Sequence, residues 1–378
     1  MRILVTGATG YVGSRLVTAL LGHGHDVVVA ARDPEKLGRY GWFDRVTPTV
    51  LDAADPDSAD SALAVAGNVD VLYYLLHGIG QPGFRAADKL AAAAVAGAAK
   101  RAGVARIVYL GGFVPDGGAL SEHLASRAEV AGALHVDGGA EVVWLGASMI
   151  IGAGSTSFEM LRYVGDRFPL LPQPRWTDNP IDPISIRDVL HYLVAAVDTA
   201  VPADGYDITG PESSTYGGLL DAYARVTRTR RAGLRVPGVD LAVLTRLSGF
   251  LLPMPNGLAT DLVASLEFPM TASDRRLSDL VPGPAGGLTG IEAAIARSLS
   301  GGRPRPVDRL ADPHQLADTD PAWAGGDALR IRRLATAVLP SVAHPALDLL
   351  SAVPKPVAGV LRSGLDMATA RWPKVQPA

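Results

Sequence analysis

The sequence predicts a doubly wound parallel α/β sheet carrying a smaller, mostly helical C-terminal lobe, and three observations predict it. A glycine-rich turn, Gly7-Ala-Thr-Gly10-Tyr-Val-Gly13, lies between a short apolar strand (Ile3 to Val5, with Met1) and a helical pattern with Leu16-Val17 and Leu20-Leu21 at i, i+4 spacing. Strand-like and helix-like stretches then alternate to about residue 150, and the strands are near-continuous Val/Ile/Leu runs, as parallel strands buried on both faces are. Past that point the rhythm gives way to helical patterns broken by prolines.

In order, the further strands fall at Asp26–Ala31, Val46–Leu51, Val69–Leu76, Arg106–Gly111 and Glu141–Leu145. Helical patterns lie between them at roughly Arg15–Gly22, Ser58–Ala66, Phe84–Ala102 and Glu122–Val136. Each strand–helix–strand connection is expected to be right-handed, and ligands of such sheets bind at the carboxyl ends of the strands. Ile150–Ser155 reads as a loop, Thr156–Asp166 as a helix and Phe168–Trp176 as a proline-rich crossing. Ser185–Ala196 is an amphipathic helix with Ser185 as N-cap and Asp188 in its first turn. Tyr206–Thr209 reads as a strand, Tyr216–Val226 as a helix, and 237–300 as helices interrupted by Pro253, Pro255, Pro269 and Pro282. The chain thus divides into a sheet domain (1–150), a lobe interleaved with the sheet (151–300), a Pro/Gly linker (301–328) and a basic amphipathic tail (329–378).

Composition excludes several classes. Of 378 residues, 48% are hydrophobic and 19% charged, which supplies a sizeable core and too little charge for disorder. A net charge of −3 gives no global basic field for nucleic acid. The absence of cysteine removes disulfides, thiolate metal sites and cysteine nucleophiles, and fits a reducing compartment. The first strand begins at Arg2, leaving no room for a leader, and no apolar run is long enough to span a membrane, so a cytoplasmic protein is expected. No His/Asp/Glu cluster has metal-ligand spacing and no Gly-x-Ser-x-Gly elbow occurs, so no metal is expected.

The chemistry begins at the glycine turn. A strand, a turn without side chains and a new helix form a site for the pyrophosphate of a dinucleotide, with Gly7, Thr9, Gly10, Tyr11, Val12 and Gly13 facing it. The residue closing the second strand selects the dinucleotide: a carboxylate favours NAD, an arginine the 2′-phosphate of NADP. Arg32 stands there, ahead of Asp33, so NADP is expected, with NAD the alternative. Asp33 also suits a cap for the Pro34-Glu35-Lys36 helix. Asp52 lies where it contacts the adenine edge or merely closes a solvated turn, and His77 lies beside the expected nicotinamide ribose or is a backbone-bonded loop histidine.

With the turn Thr6–Gly13, the stretches Tyr73–His77, Ile107–Gly112, Leu120–Val130 and Ala147–Gly152, and Arg175-Trp176 through Pro183–Val189, the chain resembles the atypical and extended short-chain dehydrogenases/reductases. The branch is the bacterial, NAD(P)-binding, NmrA-like one that reaches the Rossmann-like accessory subunit of respiratory complex I. The resemblance spans about residues 1–300 and implies a Rossmann domain. Members of this branch often carry a further C-terminal domain, where this chain has only its tail. Active relatives use a serine after strand five and a tyrosine four residues before a lysine. Here Gly111-Gly112 replace the serine, and His123 and Arg127 replace the tyrosine and lysine.

Two readings follow. His123 acts as a general acid with Arg127 fixing ribose or phosphate, or the pair is a retained cofactor-binding face whose chemistry is lost. Arg127, one helical turn away, favours neutral imidazole. Gly111 belongs to the cofactor face in either case. Tyr109 reads as core, while Ser155, Arg162, Arg175, Trp176 and Asp182 face the cleft if the lobe folds over it. The expected function is an NADP(H)-binding oxidoreductase on an unidentified apolar carbonyl or quinone-like small molecule. The alternative is a non-catalytic NAD(P)H-binding regulator or assembly factor; an epimerase needs the same absent tyrosine. The tail, with seven Lys/Arg against Asp348 and Asp366, suits a membrane surface or a protein partner, or packs back on the core.

Overall fold

The computed structural model describes residues 1–114, 121–167, 170–229, 232–235, 252–330 and 333. Its centre is a seven-stranded, all-parallel sheet. The strands β1 (Arg2–Thr6), β2 (Asp26–Ala31), β3 (Thr47–Val50), β4 (Val71–Tyr74), β5 (Arg106–Gly112) and β6 (Glu141–Ala147) are joined at one edge by the short strand Gly205–Asp207. The spatial order is Gly205–Asp207, β6, β5, β4, β1, β2, β3. Chain order reverses between β1 and β4, so the crevice at a doubly wound sheet's switch point opens above their carboxyl ends.

Helices α1 (Tyr11–Gly22), α2 (Ser58–Ala66), α3 (Phe84–Arg101), α4 (Glu122–Leu134), α5 (Thr156–Arg167), α6 (Ile186–Ala195) and α7 (Tyr216–Thr227) follow, with further helices at Asn256–Ala264 and Ile291–Leu299. One face of the sheet buries Ile3, Val5, Val27 and Val29 with Leu16 and Leu20 of α1 and Val189 and Leu193 of α6. The other buries Leu4, Val28, Leu72 and Ile107 against α2, α3 and α4. The alanine-rich α3, with Ala92, Ala96 and Ala99 each at most 2% exposed, lets its neighbours approach closely. The Ser185 hydroxyl caps α6 by accepting from the Asp188 N–H at 3.1 Å, as the sequence pattern requires.

The lobe has its own core, where Phe158, Leu161, Leu219, Tyr223, Met270 and Ile295 meet. The strand Gly205–Asp207 comes from beyond residue 150 and pairs with β6, so lobe and sheet interleave. Residues 170–173 of the expected crossing form a short strand paired with 232–235.

Residues 301–328 differ from their expected role as a linker. His314 and Ala317 are fully buried, and Asp320 and Asp327 sit in buried ion pairs with Arg15 and Arg167. Asp320 and Asp327 in that stretch anchor it through buried salt bridges, so it is packed and not free chain. The expected tail, from residue 331 on apart from Arg333, lies outside the described residues, as does 236–251 of the expected helical run. No described helix is long and apolar enough to cross a membrane, and no described group of His, Asp or Glu forms a metal cluster.

Candidate functional site

Backbone builds the first part of the cleft. Gly7 ends β1 with φ +67°, and a Cβ there would stand 2.6 Å from the Leu75 carbonyl oxygen after β4. Gly13 lies in the first turn of α1, where a Cβ would meet the Gly7 oxygen at 2.2 Å. Helix and strand therefore pack at a distance only glycine allows. The Gly10 N–H donates to the Gly7 oxygen at 3.0 Å and shapes the turn. α1 has neither a side-chain cap nor an acidic residue in its first turn, which leaves its N-terminal N–H groups for an anion. Gly7, Gly10, Tyr11, Val12 and Gly13 all line one cleft of about 220 Å³. Thr9 is exposed at its rim, and its carbonyl accepts from the Tyr40 hydroxyl at 2.9 Å.

Side chains from β4, β5 and α4 supply the second part. Ser121 caps α4 by accepting from the Leu124 N–H at 3.3 Å, which sets His123 in the first turn and Arg127 one turn later on the same face. His77, Gly111, His123 and Arg127 line the same cleft as the glycine turn. Asp88 of α3 holds this corner together. Its carboxylate accepts from the Gly78 N–H at 2.7 Å and from the Ser126 hydroxyl at 3.3 Å.

Arg127 is only 8% exposed, and among the described residues its guanidinium makes no hydrogen bond and no ion pair. A buried cation without a partner at a dinucleotide cleft fits a ligand that carries its own anion or hydroxyls. Burial first, then the Arg127 charge and the nearby His77, lower the His123 pKa to about 3, so its ring is neutral at pH 7. His77 is pushed down by the same two forces, burial and Arg127. His77 stands at the cleft mouth and is more exposed than His123.

Of the two glycines at the position expected for the serine, Gly111 has no room for a side chain. A Cβ there would stand 2.5 Å from the Trp144 indole nitrogen and 2.9 Å from the Tyr109 ring. Tyr109 is fully buried, stacked on Trp144 and edge-on to Tyr74. Gly112 is roomier: a Cβ would have only ordinary contacts at 3.7 Å, with the Ala147 oxygen and the Arg127 stem.

A second cavity, of about 170 Å³, opens from the same corner. Gly112, His123, Ala147, Ser148, Ser157 and Leu262 line both spaces. Its remaining walls are mostly apolar, including Met149, Met160, Leu161, Val164, Leu219 and Met270. Trp176 lines it, and among the described residues its buried indole N–H has no partner, as the buried His123 Nδ1 has none. Of the other residues expected at the cleft, Ser155 lines the cofactor side with its hydroxyl bonded to the Ile150 oxygen at 2.7 Å. Asp182 is turned to a structural task, accepting from the Ala272 N–H and the Arg275 guanidinium. Arg162 pairs with Glu159 at 3.7 Å, and Arg175 is exposed. Neither Arg162, Arg175 nor Asp182 lines either space.

At the other rim, Arg32 is exposed just past the carboxyl end of β2, next to β1, and has no partner among the described residues. Asp33 pairs with Lys36 at 3.3 Å. Asp52 is exposed, and its carboxylate accepts from the Ala54 N–H at 3.1 Å, closing its own turn. Sequence reasoning missed Arg39. It lies over the ring of Tyr40, 5.3 Å from its centroid, and Tyr40 in turn bonds the glycine turn, so a second cation borders the rim. The helix Asn256–Ala264 belongs to the helical run expected over 237–300, but its place at the cleft was not expected: Leu258 and Leu262 wall the cofactor side. That helix seats on the loop after β4 because Gly257 and Gly80 meet where a Cβ on Gly257 would come within 2.3 Å of the Gly80 oxygen. No motif marks either contact.

Fold and cleft together define a dinucleotide-binding protein of the Rossmann class. Residues 7–133 match the family model described as NAD(P)H-binding, so this part of the chain is an NAD(P)H-binding domain. Among solved structures, it is similar to a nucleoside-diphosphate-sugar epimerase from Staphylococcus aureus (17% identity, 78% of this chain and 100% of that one, TM-score 0.63). It is likewise similar to an NADPH-dependent quinone oxidoreductase from Escherichia coli complexed with NADPH (20% identity, 78% and 98%, TM-score 0.62). A third is the Citrobacter sp. triphenylmethane reductase complexed with NADP(H) (19% identity, 78% and 99%, TM-score 0.61). No curated protein matches the sequence.

Proposed function

We propose that this protein is an NADPH-dependent reductase of apolar quinones. The observation that carries the reading is the corner where the two spaces meet: a neutral His123 lines both and a buried Arg127 lines the cofactor side, at the positions where the resemblance expects a tyrosine and a lysine. The glycine turn would hold the pyrophosphate, Arg127 and His77 the nicotinamide ribose, and Arg32 with Arg39 the 2′-phosphate. When bound, NADPH supplies the hydride.

The proton decides the substrate class. An isolated ketone or aldehyde becomes an alkoxide on reduction and needs an acid at once, which neutral imidazole and arginine are not. A quinone becomes a phenolate-like oxyanion whose conjugate acid lies near tyrosine, about 10, and which takes its proton from water. Arg127 contributes positive charge toward that oxyanion, and His123 offers a hydrogen bond without giving up a proton. The apolar cavity seats the ring system. Two of the similar structures are of reductases, one of them a quinone oxidoreductase, which supports this class.

The test mixes protein and NADPH with a panel of benzoquinones, naphthoquinones and aldehydes and follows NADPH oxidation. Turnover with quinones and none with aldehydes is expected. Aldehyde turnover at a comparable rate refutes the reading. Tight NADPH binding with no turnover of either refutes it too, in favour of a cofactor-holding regulator, which the absent acid also fits.

A further inference from the structure

After helix Ile291–Leu299 the chain returns across the molecule, and its contacts fall on two helices whose N-terminal residues line the cofactor cleft: Tyr11 to Gly13 of α1, and Thr156 and Ser157 of α5. On α1 the receiver is Arg15, 2% exposed. Its Nη1 and Nη2 donate to the two oxygens of Asp320 at 3.0 and 2.7 Å. Its Nε donates to the Pro313 carbonyl at 2.9 Å, and Nη2 also reaches that of Gln315 at 2.9 Å. The same guanidinium donates to the Tyr11 carbonyl, in the glycine turn, at 3.1 Å, and to the Ala153 carbonyl, in the loop before α5, at 3.3 Å.

On α5, Arg167 donates to both oxygens of Asp327 at 2.8 and 2.6 Å, and the Tyr163 hydroxyl donates to the Trp323 carbonyl. Arg162 packs on Gly326 so closely that a Cβ there would stand 2.5 Å from its Nε. The Ala153 N–H completes the join by donating to the His314 carbonyl at 2.9 Å.

We propose that residues 312–327 are a strap belonging to the cofactor site, with Asp320 a positioning residue for dinucleotide binding. One guanidinium, oriented by Asp320, fixes the carbonyl of the glycine turn and the carbonyl before α5 at once. The strap thereby sets the relative placement of the two helices that line the cleft. Binding and strap closure are then linked, and linkage is reciprocal: the strap favours the cofactor, and the cofactor holds the strap.

The test uses the full-length chain. NADPH affinity is titrated by fluorescence for Asp320→Asn and for Arg15→Met/Asp320→Leu, and amide exchange of 312–327 is followed with and without NADPH. The double variant removes both charges together, so no lone charge is left buried if the single variant fails to fold. Affinity about tenfold weaker in the folded variant is expected, with NADPH slowing exchange across the strap in the wild-type protein. Wild-type affinity in the folded double variant overturns the proposal, as does strap exchange that NADPH leaves unchanged. Both readouts are independent of substrate, so NADPH binding without quinone turnover refutes the proposed activity and leaves the strap standing.

Discussion

The cofactor cleft and the apolar cavity share six residues, yet they are made in opposite ways. The cleft is shaped by backbone: a left-handed Gly7, a Gly13 without room for a side chain, and an uncapped helix start. The cavity is shaped by side chains from α4, α5, α7, the β6 end and the helix Asn256–Ala264. A backbone site tolerates almost no substitution at its glycines and recognises a constant ligand. A side-chain site of methionines and leucines adapts its shape, because Met is flexible and polarizable and fills irregular gaps. The contrast teaches how the two spaces are encoded: the cleft by one short turn, and the cavity by residues far apart in the chain.

The comparison breaks most completely at Gly13. Gly13→Val sets carbon atoms against the Gly7 carbonyl and is expected to weaken NADPH binding by roughly 100-fold or more in a folded protein, read by fluorescence titration with circular dichroism as the check. Arg127→Met removes the buried cation that lines the cofactor cleft. A loss of about tenfold to 100-fold in NADPH affinity is expected from a charge-assisted hydrogen bond, and a normal titration would remove Arg127 from the site. Arg32→Glu should cost NADPH about tenfold relative to NADH, measured as the ratio of the two dissociation constants.

Effects in the cavity are smaller. Trp176→Phe takes away an unpaired buried N–H and should raise KM for a quinone a few-fold with NADPH affinity unchanged. The smallest effect is on stability against pH. His123 titrates at about 3 when folded and near 6.5 when unfolded, so between those values the unfolded chain binds a proton that the folded one does not. Stability therefore falls as pH drops below about 6.5, and His123→Gln should flatten the decline in melting temperature between pH 7 and 5. An unchanged slope would mean that His123 is not the group involved.

Local rules made the sheet legible. Strand β2 and helix α2 lie at the expected residues, because apolar runs and turn residues are recorded in consecutive positions. The glycine turn was legible for the same reason. The cavity was not, since Met149, Met160, Leu219 and Met270 come together only through tertiary packing and each reads alone as core. The strap was misread because Pro, Gly and Asp mark irregular backbone without saying whether it packs. Its partners, Arg15 and Arg167, lie 305 and 160 residues from Asp320 and Asp327.

The stacked rings under Gly111 bear on how this site could change over time or by design. Returning a serine to position 111 is not a one-step event, since Trp144 and Tyr109 must first give up their packing. Position 112 accepts a small side chain without that cost, and it borders both ligand spaces. A hydroxyl placed at this corner by design is therefore accommodated at position 112 and not at position 111.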